Sequence, residues 1–369
     1  MALSELFYYF RVLSYKFTKM EFIKTTFTSK GVVDSRIGGR SENQDAYGFC
    51  DTPLGQAVVV CDGMGGMQGG SIASMIAVNT ILKYISEASA EDNITEVLYN
   101  ALVQANSNII ATGQENPDLY GMGTTVTAII LNQTCATIAF IGDSRIYQLR
   151  GKKKVFRTFD HSMVFEMVAN GLLTEEQARL SAQSNIILKA LGVTAEIAPE
   201  IYQLPYLKGD RFVLCSDGFW GAMPEKELLS IIGKRREKLA AIIEHTSNLV
   251  ETIGHNKGGS HDNLTAAIID VECNSLMKVK MSKTVKIILA ILATLLTLSV
   301  ALNIYFAVKS CDLCPTKVVE EVTADGVDLT DKGTEAQPTS EETSDNQKEE
   351  KADNKEPNGE GEKNPEIIK

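Results

Sequence analysis

The sequence predicts an α+β fold, two sheets sandwiched between layers of helix, followed by a single C-terminal transmembrane helix. Three features carry that expectation. Short apolar runs that end in turns alternate with segments whose apolar residues recur at helical spacing. Residues 287–308, a run of 22, contain no charge. Residues 311–369 hold 17 acidic against 7 basic side chains, a net of −10 out of −11 for the whole chain.

Residues 1–24 form an N-terminal extension. Its Leu-Phe-Tyr-Tyr-Phe run is interrupted by Arg11 and Lys16, and no small-residue cleavage site follows, which argues against a signal peptide; Met20 offers an alternative start. Residues 25–275 read as one domain. Val58, Val59 and Val60 make a buried strand that runs into Asp62. Ile72, Met75, Ile76, Ile81, Leu82 and Ile85 share one helical face, and Ile94, Val97, Leu98, Ala101, Leu102, Ala105 and Ile109 share another. Strands are expected over 124–131, 134–141 and 145–149, then helix over 163–180 with a break at Gly171. Apolar strands at 212–215 and 264–271 flank helices near 225–232 and 237–253. No internal repeat is visible.

Residues 276–286 form a basic juxtamembrane linker with Lys278, Lys280, Lys283 and Lys286. The uncharged 287–308 run makes roughly 33 Å of helix, which matches a hydrocarbon core of roughly 30 Å. Residues 309–369 have too few apolar side chains to offset the entropy of ordering, so the tail reads as disordered. With the acidity confined to that tail, nothing in the body suggests a nucleic-acid partner. Cys50, Cys61, Cys135, Cys215 and Cys273 occur singly, mostly in apolar runs, as small buried hydrophobes of a reducing compartment. Cys311 and Cys314 form the chain's CxxC, a weak sign of metal or redox chemistry when it stands alone.

Four carboxylates share a context in which an apolar strand gives way to a turn. They are Asp62 in Val-Val-Val-Cys-Asp-Gly, Asp143 in Phe-Ile-Gly-Asp-Ser-Arg, Asp217 in Val-Leu-Cys-Ser-Asp-Gly, and Asp262 in Ser-His-Asp-Asn. An aspartate at a strand end is often only a turn former or a helix cap. Carboxylates that converge, however, must share a cation or become protonated. With four histidines and no Cys/His cluster in 25–275, oxygen-only ligation favours Mg²⁺ or Mn²⁺ over zinc. Two such ions can activate a water for displacement at phosphorus. Arg40 is the candidate to grip the phosphate, since a guanidinium fork matches its oxygens.

In order along the chain stand Arg40-Ser-Glu-Asn-Gln-Asp45, Val-Cys-Asp62-Gly-Met-Gly-Gly, Gly121-Met-Gly-Thr-Thr125, Gly142-Asp-Ser-Arg145, Asp160-His-Ser162, Ser216-Asp-Gly218 and Asp262-Asn263. This set resembles the metal-dependent protein phosphatases (PPM, type 2C), particularly compact bacterial members, over about residues 25–275. The resemblance implies a four-layer α-β-β-α sandwich of two antiparallel sheets with a binuclear site at one end. It implies a serine/threonine phosphatase that attacks the phosphoester with a water bridging two ions, on phosphoproteins made by a cognate kinase. Asp62 matches the bridging carboxylate, Gly63 a carbonyl ligand of the second ion, and Asp217 and Asp262 ligands of the first. Asp45 matches a residue that holds metal-bound water, and Asp143 a weaker ligand of a third ion shared with Asp217. Arg40 matches the phosphate-binding arginine. Residues 163–190, led in by Ser162 and broken at Gly171, match the flap that influences substrate choice, while Asp160 and His161 look structural.

Two positions depart from the family pattern. Gln44 stands where many relatives have a glutamate ligand, which gives up one negative charge. Met64 and Met67 occupy a loop where relatives carry a proton-donating histidine, leaving a metal-bound water as the general acid, or none. Two other classes fit parts of the sequence. A kinase or nucleotide hydrolase could use the glycine-rich 62–70 stretch, but the chain has no G-x-x-x-x-G-K-[ST] and Asp217-Gly-Phe is not Asp-Phe-Gly. A catalytically weak or dead phosphatase fold serving as a membrane sensor or scaffold draws support from Gln44 and Met67 alone. Four lysines before the apolar run against Lys309 and Lys317 after it place the catalytic domain in the cytoplasm and the tail across the membrane.

Overall fold

The computed structural model describes residues 19–23, 27, 29–277 and 283–311. The chain divides into two units, Met1–Ile288 and Leu289–Lys369. In the first, two sheets pack face to face, and every strand pair is antiparallel.

One sheet takes β1 (Lys19–Ile23), β2 (Ser29–Arg36), β8 (Arg145–Arg150), β9 (Lys153–Arg157), β11 (Asp210–Cys215) and β12 (Leu264–Val271), in the spatial order β1-β2-β12-β11-β8-β9. The other takes β3 (Asp45–Thr52), β4 (Gly55–Met64), β6 (Val126–Leu131), β7 (Ala136–Ile141) and β10 (Glu200–Leu204), ordered β10-β7-β6-β4-β3, with the short β5 (Gly123–Thr124) paired to the end of β4. β1 pairs with β2 from Lys19↔Ser35 to Ile23↔Gly31, so residues expected to precede the domain form an edge of its sheet.

The layers follow from alternation along each strand. In β4, Val58 and Val60 face the opposite sheet, meeting Ile129, Ile138, Phe212, Leu214 and Ile269. Their neighbours Ala57, Val59 and Cys61 face outward onto α1 (Gly66–Ser86) and α2 (Ile94–Glu115), whose apolar stripes include Ile81, Leu98 and Leu102. On the far side, Val213, Cys215, Ala266 and Ile268 carry α3 (Met163–Ala169) and α4 (Glu175–Arg179), which lie in the segment expected to be a flap, together with α6 (Glu225–Ile232) and α7 (Leu239–Asn256). The helix expected over 163–180 breaks at Gly171, whose φ of 72° suits glycine. Between β11 and α6 lies the one-turn α5 (Asp217–Trp220). Cys61, Cys135 and Cys215 are buried free thiols; Cys50 and Cys273 are free and half-buried.

The apolar run near the C-terminus falls on α8 (Lys283–Cys311), a helix of 29 residues. Its side chains at Ile291, Leu292, Leu295, Leu296 and Leu298 are exposed. Among the described residues no helix is long and apolar enough to cross a membrane, the side chains at 288, 289, 307 and 308 lying outside that description. The tail beyond Cys311, including Cys314, also lies outside the described residues.

Phe212 is fully buried between the two sheets. Phe212→Ala therefore combines lost transfer energy with a cavity, and it should lower the unfolding free energy by about 3–5 kcal/mol in urea denaturation.

Candidate active site

The strand-end aspartates meet at one rim of the sandwich because the register brings them there. Asp45 at the start of β3 pairs directly with Asp62 near the end of β4. Asp62 is fixed by its own main chain: its N–H donates to Thr125 Oγ1 at 3.0 Å, and its carbonyl accepts from Thr125 N at 2.9 Å and Thr124 Oγ1 at 2.8 Å. That accounts for Gly121-Met-Gly-Thr-Thr125, which frames a carboxylate and contributes none. From the opposite sheet, β11 ends at Cys215 and Ser216 turns the chain into α5, whose first residue is Asp217. Ser216 Oγ donates to Asp45 Oδ2 at 2.8 Å, which ties the two sheets together at the site.

Asp262 precedes β12, and its Oδ1 accepts from the N–H of Asn263 at 2.8 Å. Asn263 in turn accepts from Gln44 N at 2.8 Å and donates to the carbonyls of Ile37 at 2.7 Å and Glu42 at 2.9 Å, so one amide side chain holds the loop that carries Arg40. Close backbone approach does the rest. A Cβ at Gly39 would stand 1.9 Å from the Gly259 carbonyl, and one at Gly218 2.0 Å from that of Asn263. Arg40 thereby reaches Asp262, Nη2 to Oδ2 at 2.8 Å, in a half-exposed pair. Gly63 is equally tight, with a Cβ there 1.9 Å from the Gly70 carbonyl; Gln44's side-chain amide lies against Gly70.

A cavity of about 270 Å³ opens beside these groups. Arg40, Asp143, Asp217 and Asp262 line it, with Trp220, Val250 and Ile253 as an apolar wall and Arg179, Ser184 and Asn185 from the flap. A larger cavity, about 370 Å³, is lined by Tyr84, Glu87, Asp92 and Glu96 among others, none of them a predicted site residue. Of the predicted flap positions, Ser162 is buried at the start of α3 and Gly171 caps its end; neither lines the cavity.

Burial dominates the electrostatics. It holds Asp62 and Asp143 well above the ordinary carboxylate range, Asp62 further raised by Asp45, Asp217, Asp143 and Asp262, and Asp143 by Asp217 and Asp160. Asp45 is pushed up to about 7, first by burial and then by Asp217 and Asp262. Asp217 is pushed up to about 6 by burial and Asp262, moderated by a hydrogen bond with the Asp62 carboxyl. His261 is not a proton donor poised for use: it packs on Gly254, burial lowers its pKa, and neither ring nitrogen finds a hydrogen-bond partner. Asp160 and His161 are structural. Asp160 forms a buried two-point ion pair with Arg145, and His161 stacks on Phe140 and meets Glu200 at 3.0 Å.

Among the described residues no three carboxylate, thiol or imidazole groups stand in a ligating arrangement as placed. Asp262 is engaged by Arg40, and the Asp217 carboxyl lies in hydrogen-bonding contact with that of Asp62. The donor set nevertheless fits a hard divalent cation. Asp45 Oδ1, Asp143 Oδ1 and Asp217 Oδ1 are buried oxygens with no hydrogen-bond partner, and buried acceptors without partners are costly unless a cation meets them.

Residues 34–258 match the family model for protein phosphatase 2C. The chain belongs to the protein phosphatase 2C family. It is 32% identical over 235 residues to the serine/threonine phosphatase stp of Listeria monocytogenes, covering 63% of this chain and 91% of that protein. It is 31% identical to PstP of Mycobacterium tuberculosis, over 63% of this chain and 43% of that one. The crystal structure of that M. tuberculosis phosphatase superposes with a TM-score of 0.58 at 29% identity, covering 66% of this chain and 99% of the other. A PstP catalytic domain in complex with two manganese ions gives 0.55 at 28% identity, over 66% of this chain and 98% of that one. The chain is therefore a phosphoprotein phosphatase of the serine/threonine type, and the kinase and scaffold readings are not favoured.

A carboxyl kept protonated by the fold contributes stability that is present below its unfolded pKa and is lost as pH rises through the folded value. For Asp45 and Asp217 that window runs from 3.8 to about 7 and about 6. Glu176, Glu200 and Glu225, with lowered values, act below their ordinary 4.5, and His261 alone opposes the trend. Chelator-treated protein should thus lose stability between about pH 5 and pH 7 in urea titrations. Asp45→Asn should flatten that loss, and added Mn²⁺ should reverse it.

Proposed function

We propose that this phosphatase is anchored in a membrane by α8, with its catalytic domain in the cytoplasm, and acts on phosphoserine and phosphothreonine proteins made by a cognate serine/threonine kinase. Asp62, the Gly63 carbonyl, Asp217 and Asp262 would hold two divalent cations, Mn²⁺ or Mg²⁺, with Asp45 supporting them through water and Asp143 joining Asp217 toward a third. Bound there, such ions neutralise phosphate charge and make water a competent nucleophile at neutral pH.

The observation that carries this reading is the crowding of buried Asp45 and Asp143 with half-buried Asp62 and Asp217, with three buried oxygens lacking any partner. A fold does not sustain such repulsion for packing alone. Arg40 binds the phosphate. Its side chain is half-exposed and paired with a single carboxylate oxygen, so it can exchange that partner for a phosphate at small cost. The apolar wall of Trp220, Val250 and Ile253 limits water beside the reacting group. Gln44, at the position of a glutamate in many relatives, lowers the charge of the site and with it the affinity for the second ion.

The test is hydrolysis of a phosphothreonine peptide by the full chain with Mn²⁺ and with chelator. Asp217→Asn removes a ligand charge and should lower kcat by about 10²-fold or more. Arg40→Ala should raise KM, and it should also lower kcat if the contact tightens during transfer. Undiminished turnover in Asp217→Asn or in chelator would sink the assignment.

Support for the anchor comes from the 22 uncharged residues at 287–308 and from the exposed apolar side chains of α8. Support for the orientation comes from Lys278, Lys280, Lys283 and Lys286 on the N-terminal flank against Lys309 and Lys317 on the other. In that orientation Cys311 and Cys314 stand outside, where an oxidising compartment would let them form a disulfide. With native cysteines replaced, a membrane-impermeant maleimide should label a cysteine introduced at Asn346 and spare one at Ser89 in intact cells. The opposite pattern would reverse the topology.

A further inference from the structure

α5 holds Asp217, yet it is only four residues long, far short of what sustains an isolated helix. Its other end is Trp220, the one tryptophan in the chain. The indole is nearly buried, and its Nε1–H donates to the Asp143 carbonyl at 3.0 Å. The Arg145 guanidinium carbon lies 3.3 Å from the indole ring centre, and Phe165 of α3 meets the ring edge-on with centroids 6.2 Å apart. Arg145 cannot drift from this stack, because Asp160 takes its Nε and Nη2 at 2.9 and 2.7 Å and Nη1 donates to Tyr147 Oη at 3.1 Å.

We infer that Trp220 is a positioning residue that sets the spacing between the Asp217 and Asp143 carboxylates. One residue grips the main chain of Asp143 with its side chain and stands at the end of the single turn that begins with Asp217. Both aspartates line the same cavity as the indole, and both have a buried Oδ1 with no hydrogen-bond partner. The Arg145 stack gives the indole a fixed seat, and Phe165 ties that seat to the first helix of the flap. The inference rests on the phosphatase reading, since it assigns Trp220 to the weaker cation position shared by Asp143 and Asp217. It concerns a residue that contributes no ligand and no proton.

The experiment uses the full-length protein, stripped with chelator and titrated with Mn²⁺ by calorimetry. Trp220→Phe keeps an aromatic face for Arg145 but loses the N–H. Losing one net hydrogen bond should weaken the weakest Mn²⁺ step roughly two- to tenfold, with the tighter steps weakened less. The Mn²⁺ concentration for half-maximal activity should rise in parallel. A merely structural role would lower the thermal midpoint without this split. Should Trp220→Phe fail to fold, the wild-type protein still decides the matter: emission from its one tryptophan should change across the weak step of a Mg²⁺ titration, and Asp143→Asn should abolish that change. An isotherm for Trp220→Phe identical to wild type, or emission indifferent to Mg²⁺, would overturn the role of Trp220 and leave the phosphatase reading intact. No Mn²⁺ binding by wild type would overturn both.

Discussion

The organising constraint of this domain is the crowding of like charge at one rim of a β-sandwich. Asp45 and Asp143 are buried, Asp62 and Asp217 half-buried, and the pKa values of these four rise together; Asp262 lies beside them. Nothing in the packing of the sheets asks for this; both would close more comfortably over neutral side chains. The surrounding structure is arranged so that the repulsion is tolerated. Asp62 is pinned by its own main chain to Thr124 and Thr125, so its carboxyl takes no part in holding the strand. Ser216 Oγ, a neutral donor, links Asp45 to the opposite sheet. Neutral groups carry much of the scaffolding, and Oδ1 of Asp45, Asp143 and Asp217 is left buried without a hydrogen-bond partner.

Asn263 and the glycines show the same economy at the loops. The Asn263 amide satisfies Gln44, Ile37 and Glu42 together, stitching the Arg40 loop to the start of β12. Gly39 and Gly218 let backbones approach to distances that any Cβ would forbid. Arg40 and Asp262 are far apart in sequence and Asp217 and Asp143 come from different strands, so only such close main-chain contact brings them to one cavity. Positioning is set by backbone and small neutral side chains, and the charged groups act on what is bound.

The apolar alternation of Val58 to Val60, the helical faces of α1 and α2, and the break at Gly171 were legible in sequence because each is a local pattern. So was the shared context of the four aspartates. Three things were not. β1 forms a sheet edge from residues that look like an extension, because its pairing with β2 is a tertiary fact. The structural duty of Asn263 depends on partners more than 200 positions away. Trp220 gave no signal at all, since a tryptophan beside Ser-Asp-Gly reads as core; only the geometry shows its ring on Arg145 and its N–H on Asp143. Of the 163–190 segment, the residues that line the cavity are Arg179, Ser184 and Asn185 rather than Ser162 or Gly171, which sequence alone singled out.

Among the arginines that pair with aspartates, burial separates the duties of Arg36, Arg40 and Arg145. Arg145 is buried against Asp160, Tyr147 and Trp220, and releasing it would strand a charge in the interior. Arg36 is equally committed, to Asp34 at 2.9 Å, Asn248 at 2.6 Å and Glu251 at 2.7 Å. Arg40 alone among the three is half-exposed, with one contact to Asp262. An exposed pair of that kind is worth roughly 0–1 kcal/mol, less than a two-point contact to phosphate in a partly dry cavity. The arginine that can leave its carboxylate is therefore the one at the mouth of the cavity. Its departure also frees an Asp262 oxygen on a side chain that is itself partly exposed, so no buried charge is left stranded.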